Sequence, residues 1–146
     1  MPQQPYFAYG SNMHPGQLAA RCPQSRFLGR AVLADHRFII NLRGYATVVP
    51  AVGEAVHGVL ATLTPADEAT LDRYEGVDCG VYRREFLPVT MEDGTVVAAL
   101  IYIDSVVAPG CPRPGYLEGV LEGARHHGLP EGVITGIATW GNGREP

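Results

Sequence analysis

The sequence predicts an α+β fold, in which a small mixed sheet of five to six strands, strongly curved or closed into a barrel, carries flanking helices. Three observations lead to this prediction. The 146 residues match the length of one domain, spanning residues 1–146. Strand-like segments outnumber helical ones, and no strand–helix–strand alternation repeats along the chain. Hairpins and short crossovers join the strand-like segments, so we expect the sheet to curve back on itself.

The N-terminal segment predicts a strand, a tight turn and a short helix. Pro5–Tyr9 is rich in aromatic residues and stops at a glycine, and Gly10–Asn12 has the composition of a turn. Pro15 suits the first turn of a helix that runs to about Arg21.

Three strand candidates follow. Phe27–Asn41 is apolar and β-forming, with Gly29 as a bulge. Ala46–Pro50 and Ala55–Leu63 are predicted as two further strands, because Val52–Glu54 between them resembles a turn. Both faces of the last strand are apolar, which indicates a central place in the sheet.

The clearest helix signal begins at Thr64. Thr64 is a good N-cap, and Pro65 occupies the first helical position. Gly76 is a natural C-terminal stop. Glu75 therefore lies near the last helical residue.

The second half of the chain predicts a hairpin and two helices. Tyr82–Met91 and Thr95–Ile103 are the strands, joined by a Glu-Asp-Gly turn, with Pro88 marking an edge or a bulge. A proline-rich loop leads to a helix whose apolar residues recur at helical spacing up to Ala124. A weaker helix follows from Pro130, and residues 141–146 are predicted to form a frayed tail.

Composition excludes several classes of function. The net charge is −4, and no arginine cluster is large enough to suggest nucleic-acid binding. All basic residues are arginine, which excludes Schiff-base and P-loop lysine chemistry. The N-terminus has no signal-peptide pattern, and the longest apolar run, Val96–Ile103, is too short to cross a membrane. We expect a cytoplasmic protein without membrane or nucleic-acid partners.

The remaining histidines and cysteines do not indicate a metal site. The three cysteines are widely spaced, without a disulfide framework or a zinc pattern. His126 and His127 are helix neighbours that point in different directions, so we interpret them as residues at an exposed helix end. No metal and no cofactor is predicted.

Two local features could support catalysis. The first is the turn Gly10–Asn12, where glycine permits close approach of a ligand and the following helix presents free N–H groups. The second is Glu75, whose carboxylate meets the negative end of a helix dipole and apolar neighbours. Both effects raise a carboxyl pKa, as a general acid/base at neutral pH requires.

Together these stretches resemble the γ-glutamylcyclotransferase family (AIG2-like). The matching residues are Tyr6–Asn12 and Leu71–Val77, followed by Tyr82 at the expected offset and by a proline-rich loop leading to Tyr116. The order and spacing extend from Tyr6 to about Pro130. The branch that acts on γ-glutamylamines tends to have Thr-Leu where this chain has Ser-Asn, which argues against that branch.

The resemblance implies a fold, an activity and a set of site residues. The fold is a small mixed barrel with flanking helices. The activity is the release of 5-oxoproline from a γ-glutamyl amino acid, as in glutathione metabolism, without a metal or a cofactor. Glu75 would be the catalytic acid/base. The residues that would bind the small-molecule substrate are Tyr6, Phe7, Ala8, Tyr9, Gly10, Ser11, Asn12, Tyr82 and Tyr116.

Alternatives remain open at this point. The same fold could serve a non-catalytic binding module, although such a module has no need for Glu75. An open pocket rim around Pro109–Tyr116 would instead favour an enzyme that removes a γ-glutamyl group from a larger natural product. Tyr45, Tyr74 and Tyr102 are predicted as core or interface residues, and the Arg83–Arg84 pair as one solvated charge and one inward ion-pair partner. The preferred acceptor, the use of glutathione and the formation of a homodimer are not determined by the sequence.

Overall fold

The computed structural model describes residues 3–142. The strands are β1 Gln4–Ala8, β2 Phe27–Ile40, β3 Ala46–Leu63, β4 Tyr82–Met91 and β5 Val96–Asp104. The helices are α1 Pro15–Arg21, α2 Pro65–Tyr74, α3 Tyr116–His126 and α4 Glu131–Thr139. Short 3₁₀ turns cover Ser11–Met13, Val77–Cys79 and Trp140–Asn142. None of the described helices is both long and apolar enough to cross a membrane.

The strands form a closed barrel in the order β1-β3-β2-β4-β5. β1 is antiparallel to β3, from Gln4 opposite Leu63 to Ala8 opposite Val59. The barrel closes where Tyr6 of β1 pairs in parallel with Leu100 of β5. The other pairs are antiparallel. The predicted closed mixed barrel with flanking helices is confirmed.

The prediction of two separate strands between residues 46 and 63 is wrong, because β3 is continuous. His36 pairs with Pro50 and Ala34 with Ala55, so residues 51–54 bulge out opposite Asp35 alone. The Asp35 carboxylate accepts a hydrogen bond from Gly53 N–H at 3.0 Å. The bulged segment contains a glycine, as a turn does, but the pairing with β2 resumes on its other side.

The predicted helices form where their local signals lie. Thr64 caps α2, its hydroxyl accepting from the Asp67 N–H at 3.1 Å. Glu75 is the C-cap, and Gly76 turns the chain with a φ of 65°, a conformation that favours glycine. The weaker helix expected after Pro130 is α4. Of the predicted tail, residues 141 and 142 belong to the last 3₁₀ turn, and residues 143–146 lie outside the described residues.

The core has two parts that meet at β1. Phe7 and Tyr9 belong to a cluster made mostly of strand residues, together with Leu60 and Ile101. Tyr6 and Ala8 belong to the cluster that includes the buried faces of the helices. This alternation follows from the two-residue period of a strand. It leaves β1 buried on both sides up to the point where Gly10 begins the turn.

Candidate active site

A cavity of about 390 Å³ opens at the end of β1. This volume lies within the usual range for small-molecule sites, about 300–1,000 Å³. The turn after β1, the C-terminal end of α2 and the turn between β2 and β3 contribute to its wall. The lining residues are Tyr6, Tyr9, Gly10, Ser11, Asn12, Gln17, Arg21, Arg43, Tyr45, Ala46, Tyr74, Glu75, Gly76, Val81, Tyr82, Tyr102 and Tyr116.

Glu75 is the acid of this cavity. Its backbone is fixed between two elements, because its N–H donates to Leu71 C=O and its own C=O accepts from Tyr82 N–H. Burial raises the pKa of Glu75 from 4.5 to about 7, while the charges of Arg21 and Arg43 oppose the rise. No side chain of residues 3–142 hydrogen-bonds its carboxyl group. A carboxyl group with these properties can both accept and donate a proton near neutral pH.

The turn after β1 presents backbone donors to the same cavity. Within it, Met13 N–H donates to Gly10 C=O at 3.1 Å, and His14 N–H to Ser11 C=O at 3.0 Å. No backbone carbonyl of the described residues accepts from the N–H groups of Gly10, Ser11 or Asn12. The Ser11 N–H donates to the Tyr116 hydroxyl, so the amides of Gly10 and Asn12 are the ones available to an anionic ligand atom.

The side chain of Asn12 holds this turn in shape. It is almost fully buried, and its Nδ2 donates to the Tyr6 hydroxyl at 3.0 Å. Its Oδ1 accepts from Gln17 Nε2 at 3.0 Å and from Arg21 Nη1 at 3.1 Å. Because all these bonds are made to protein groups, the Asn12 side chain supports the turn.

Two tyrosines bind the same backbone residue on β3. The Tyr82 hydroxyl donates to Ala46 C=O at 2.8 Å, and the Tyr116 hydroxyl oxygen accepts from Ala46 N–H at 3.1 Å. Burial raises the pKa of Tyr116 to about 12, so this phenol keeps its proton at neutral pH. The same hydroxyl also hydrogen-bonds the backbone and the side chain of Ser11, so it connects Ala46 of β3 to the turn after β1. A Cβ on Gly10 would lie 3.1 Å from this hydroxyl, so glycine allows the close approach.

An ion-pair cluster fixes the helix that ends at Glu75. Arg84 of β4 donates to both carboxylate oxygens of Asp72 at 2.9 Å and to Glu68 at 2.6 Å. The hydroxyl of Tyr102 on β5 donates to Asp72 at 2.6 Å. Asp72 lies three residues before Glu75, so the cluster acts on the last turn of α2. Arg83 is half-exposed, which confirms the prediction of one inward and one solvated arginine.

Comparison with known proteins bears on the identity of this site. The family model described as gamma-glutamyl cyclotransferase, AIG2-like, matches residues 6–116. The chain belongs to this family. The matched segment of this cyclotransferase-family chain contains the turn after β1, Glu75 and both tyrosines that bind Ala46.

Individual relatives agree with the family match. A mouse protein named gamma-glutamylcyclotransferase is 29% identical over 136 residues, which cover 86% of this chain and 72% of the relative. The human protein of that name is 28% identical over 135 residues, with the same coverage. A solved structure named gamma-glutamyl cyclotransferase superimposes with a TM-score of 0.89 at 24% identity, covering 99% of this chain and 90% of the other. That structure shows that the two chains share a fold.

Most residues predicted for the cyclotransferase site lie around one cavity. Glu75, Tyr82 and Tyr116 line it together with five residues of the N-terminal segment, namely Tyr6, Tyr9, Gly10, Ser11 and Asn12. The prediction that Phe7 and Ala8 bind substrate is wrong, because neither residue lines the cavity. Both are fully buried in the core. β1 is still a paired strand at these residues, so their side chains pack within the barrel and against the helices.

Several lining residues were not predicted. Tyr102 is a buried core residue, as predicted, and it also lines the cavity. Tyr45 and Tyr74, predicted in the core or at an interface, line the cavity without being buried. Arg21 and Arg43 were not singled out at all. Arg21 is the last residue of α1, and Arg43 lies in the turn that follows the long strand β2. Both reach the cavity only because this helix and this turn pack beside it. Within residues 3–142 no group of three or more His, Cys, Asp or Glu side chains could hold a metal ion.

Proposed function

We propose that this protein converts a γ-glutamyl amino acid into 5-oxoproline and the free amino acid, with Glu75 as the general acid/base. One observation carries the proposal. A carboxyl group with a pKa of about 7 shares a cavity with the backbone amides of Gly10 and Asn12, which have no backbone partner. The carboxyl group of Glu75 can accept and donate a proton, and the amides can stabilise negative charge.

The reaction begins at the α-ammonium group of the substrate. Its nitrogen can attack only after losing a proton, which the Glu75 carboxylate accepts. The nitrogen then bonds to the γ-carbonyl carbon, and the carbonyl oxygen becomes an oxyanion. Because both reacting groups belong to one molecule, the site needs only to hold the substrate in a bent conformation.

The oxyanion and the α-carboxylate of the substrate both need donors. The amides of Gly10 and Asn12 can serve either group, and a well-placed oxyanion donor contributes about 3–4 kcal/mol. The Tyr116 hydroxyl lies beside the same turn, where it hydrogen-bonds Ser11. The turn after β1 thus offers donors to a negatively charged group of the substrate.

The intermediate collapses when the bond between the γ-carbon and the leaving nitrogen breaks. Glu75 returns its proton to that nitrogen, so one carboxyl group serves as base and then as acid. The second proton lost by the ring nitrogen passes to the freed amino group. Protons therefore balance, and the products are a lactam and an amino acid.

The direct test measures 5-oxoproline after incubation with a panel of γ-glutamyl dipeptides. We expect the wild-type protein to form it, and Glu75→Gln to reduce kcat at least 100-fold, as expected for loss of an acid/base group. Glu118→Gln on α3 is the matched control, because it removes a carboxylate that does not line the cavity. Near-normal turnover by Glu75→Gln would remove this residue from the mechanism.

A further inference from the structure

Arg43 presents a cation to the cavity from a rigid turn. In the turn between β2 and β3, Asn41 N–H donates to Tyr45 C=O at 3.0 Å, and Asn41 Oδ1 accepts from Arg43 N–H at 3.0 Å. Asn41 is fully buried, and its Nδ2 donates to Asp104 at 2.9 Å. The turn is thus fastened to the end of β5.

The guanidinium of Arg43 is held by Asp104 and also interacts with the hydroxyl of Tyr82. Its Nε donates to Asp104 Oδ2 at 2.7 Å, and Asp104 is almost fully buried. No carboxylate or carbonyl of residues 3–142 accepts a hydrogen bond from its two terminal nitrogens. The group lies 5.3 Å from the ring centre of Tyr45 and 5.8 Å from that of Tyr82. It is therefore held in place, and no carboxylate of the described residues competes with an anionic ligand for its terminal N–H groups.

The other arginine of the cavity is already engaged. Arg21 donates to Asn12 Oδ1, and its guanidinium lies 4.4 Å from the ring centre of Tyr74. The Arg21 guanidinium is thus bound to the turn after β1, whose amides would hold the glutamyl part of the substrate. Arg43, which is about one-third exposed, lies where the cavity meets solvent.

We infer that Arg43 is the specificity-determining residue that binds the free carboxylate of the amino acid released in the reaction. This inference rests on the proposed function. A γ-glutamyl amino acid carries two carboxylates, one on each half of the molecule. The turn after β1 supplies donors for the first, and the terminal nitrogens of Arg43 match the planar geometry of the second.

The substrate class follows from this assignment. A γ-glutamyl amino acid with a free carboxylate is preferred over the same compound ending in a carboxamide, and over a γ-glutamylamine without that group. A charge-assisted hydrogen bond of this kind gives a preference of about 10- to 100-fold in kcat/KM. Because the carboxylate takes no part in the bond changes, most of the preference falls on KM.

The test compares γ-glutamylalanine with γ-glutamylalaninamide by 5-oxoproline formation. We expect wild-type protein to prefer the acid 10- to 100-fold, and Arg43→Gln to bring this ratio close to one. Arg113→Gln is the matched control, because Arg113 lies 5.6 Å from the ring centre of Tyr45 but does not line the cavity. It should keep the wild-type ratio.

The outcomes separate this inference from the proposed function. Equal kcat/KM for the two wild-type reactions would overturn the role of Arg43 and leave the cyclisation intact. The role of Arg43 would also be overturned if Arg43→Gln lowered kcat/KM equally for both substrates, as loss of a purely structural residue does. No 5-oxoproline from any γ-glutamyl compound would overturn both. The wild-type ratio needs no variant, so a ratio near one overturns the inference even if Arg43→Gln fails to fold.

Discussion

At the scale of single residues, Glu75 is exceptional because its environment opposes its charge. Its pKa is raised to about 7 chiefly by burial, and the two arginines of the cavity limit the rise. The sequence was sufficient to identify Glu75, because a capped helix followed by Gly76 fixes the end of α2 locally. Arg43 could not be identified in this way, since its partner Asp104 is 61 residues away along the chain.

The first prediction concerns the pH dependence of the reaction. Glu75 must be a carboxylate to accept the ammonium proton, so kcat/KM should rise tenfold per pH unit below about 7 and level off above it. The measurement is a profile of 5-oxoproline formation from pH 5 to 8.5. A profile that is flat between pH 5 and 7 would contradict Glu75 as the base.

The same pKa predicts a pH-dependent stability. The native state holds the Glu75 proton more tightly than the unfolded chain, whose pKa is near 4.5. Stability should therefore fall as pH rises from about 4.5 to 7, and stay constant above that range as far as this group is concerned. Glu75→Gln removes this dependence, so its stability relative to wild type should increase by about 1–3 kcal/mol between pH 5 and 8.

Urea unfolding of both proteins at several pH values measures this difference. The expected change is smaller than the full pKa shift implies, because the residue is partly exposed and solvent screens its charge. Two stability curves that run parallel across this pH range would show that Glu75 titrates normally in the folded protein.

At the scale of elements, helix α2 brings the acid to the cavity. The start of α2 can be predicted from the sequence, because Thr64 and Pro65 define it. The contacts that orient its C-terminal end cannot be predicted locally, because Arg84 lies on β4 and Tyr102 on β5. Strand alternation alone does not reveal which cavity a tyrosine such as Tyr102 will face. The bulge in β3 was missed for a related reason, since its composition is that of a turn.

The element-scale prediction tests the anchoring of α2. Arg84→Ala leaves the partly buried carboxylates of Glu68 and Asp72 without their cation, so we expect a loss of about 1–3 kcal/mol in stability. We also expect a lower kcat, because the last turn of α2 positions Glu75. Arg83→Ala removes a half-exposed arginine from the neighbouring position and should change stability by less than about 0.5 kcal/mol. Equal effects of the two substitutions would show that the cluster contributes nothing beyond surface charge.

At the scale of the whole molecule, barrel closure and site formation depend on the same strand. β1 pairs with β3 on one side and with β5 on the other, and it ends in the turn that supplies the amides. The order of the strands was not predicted from the sequence, because the pairing of β1 with β3 joins residues more than 50 positions apart. Local patterns predicted the strands, whereas their arrangement depends on how the apolar faces pack together.

Gly58 of β3 is the position where closure can be tested. A Cβ added there would lie 2.4 Å from the carbonyl oxygen of Ala8 and 2.8 Å from Phe7, so β1 would have to move. We expect Gly58→Ala to destabilise the protein by at least about 2 kcal/mol and to lower turnover, since the displaced strand carries Gly10–Asn12. Gly119→Ala on α3 is the control, because nothing lies within 4 Å and alanine favours a helix by about 1 kcal/mol. Thermal unfolding of both variants measures the difference, and a Gly58→Ala protein as stable as wild type would show that β1 can shift without opening the barrel.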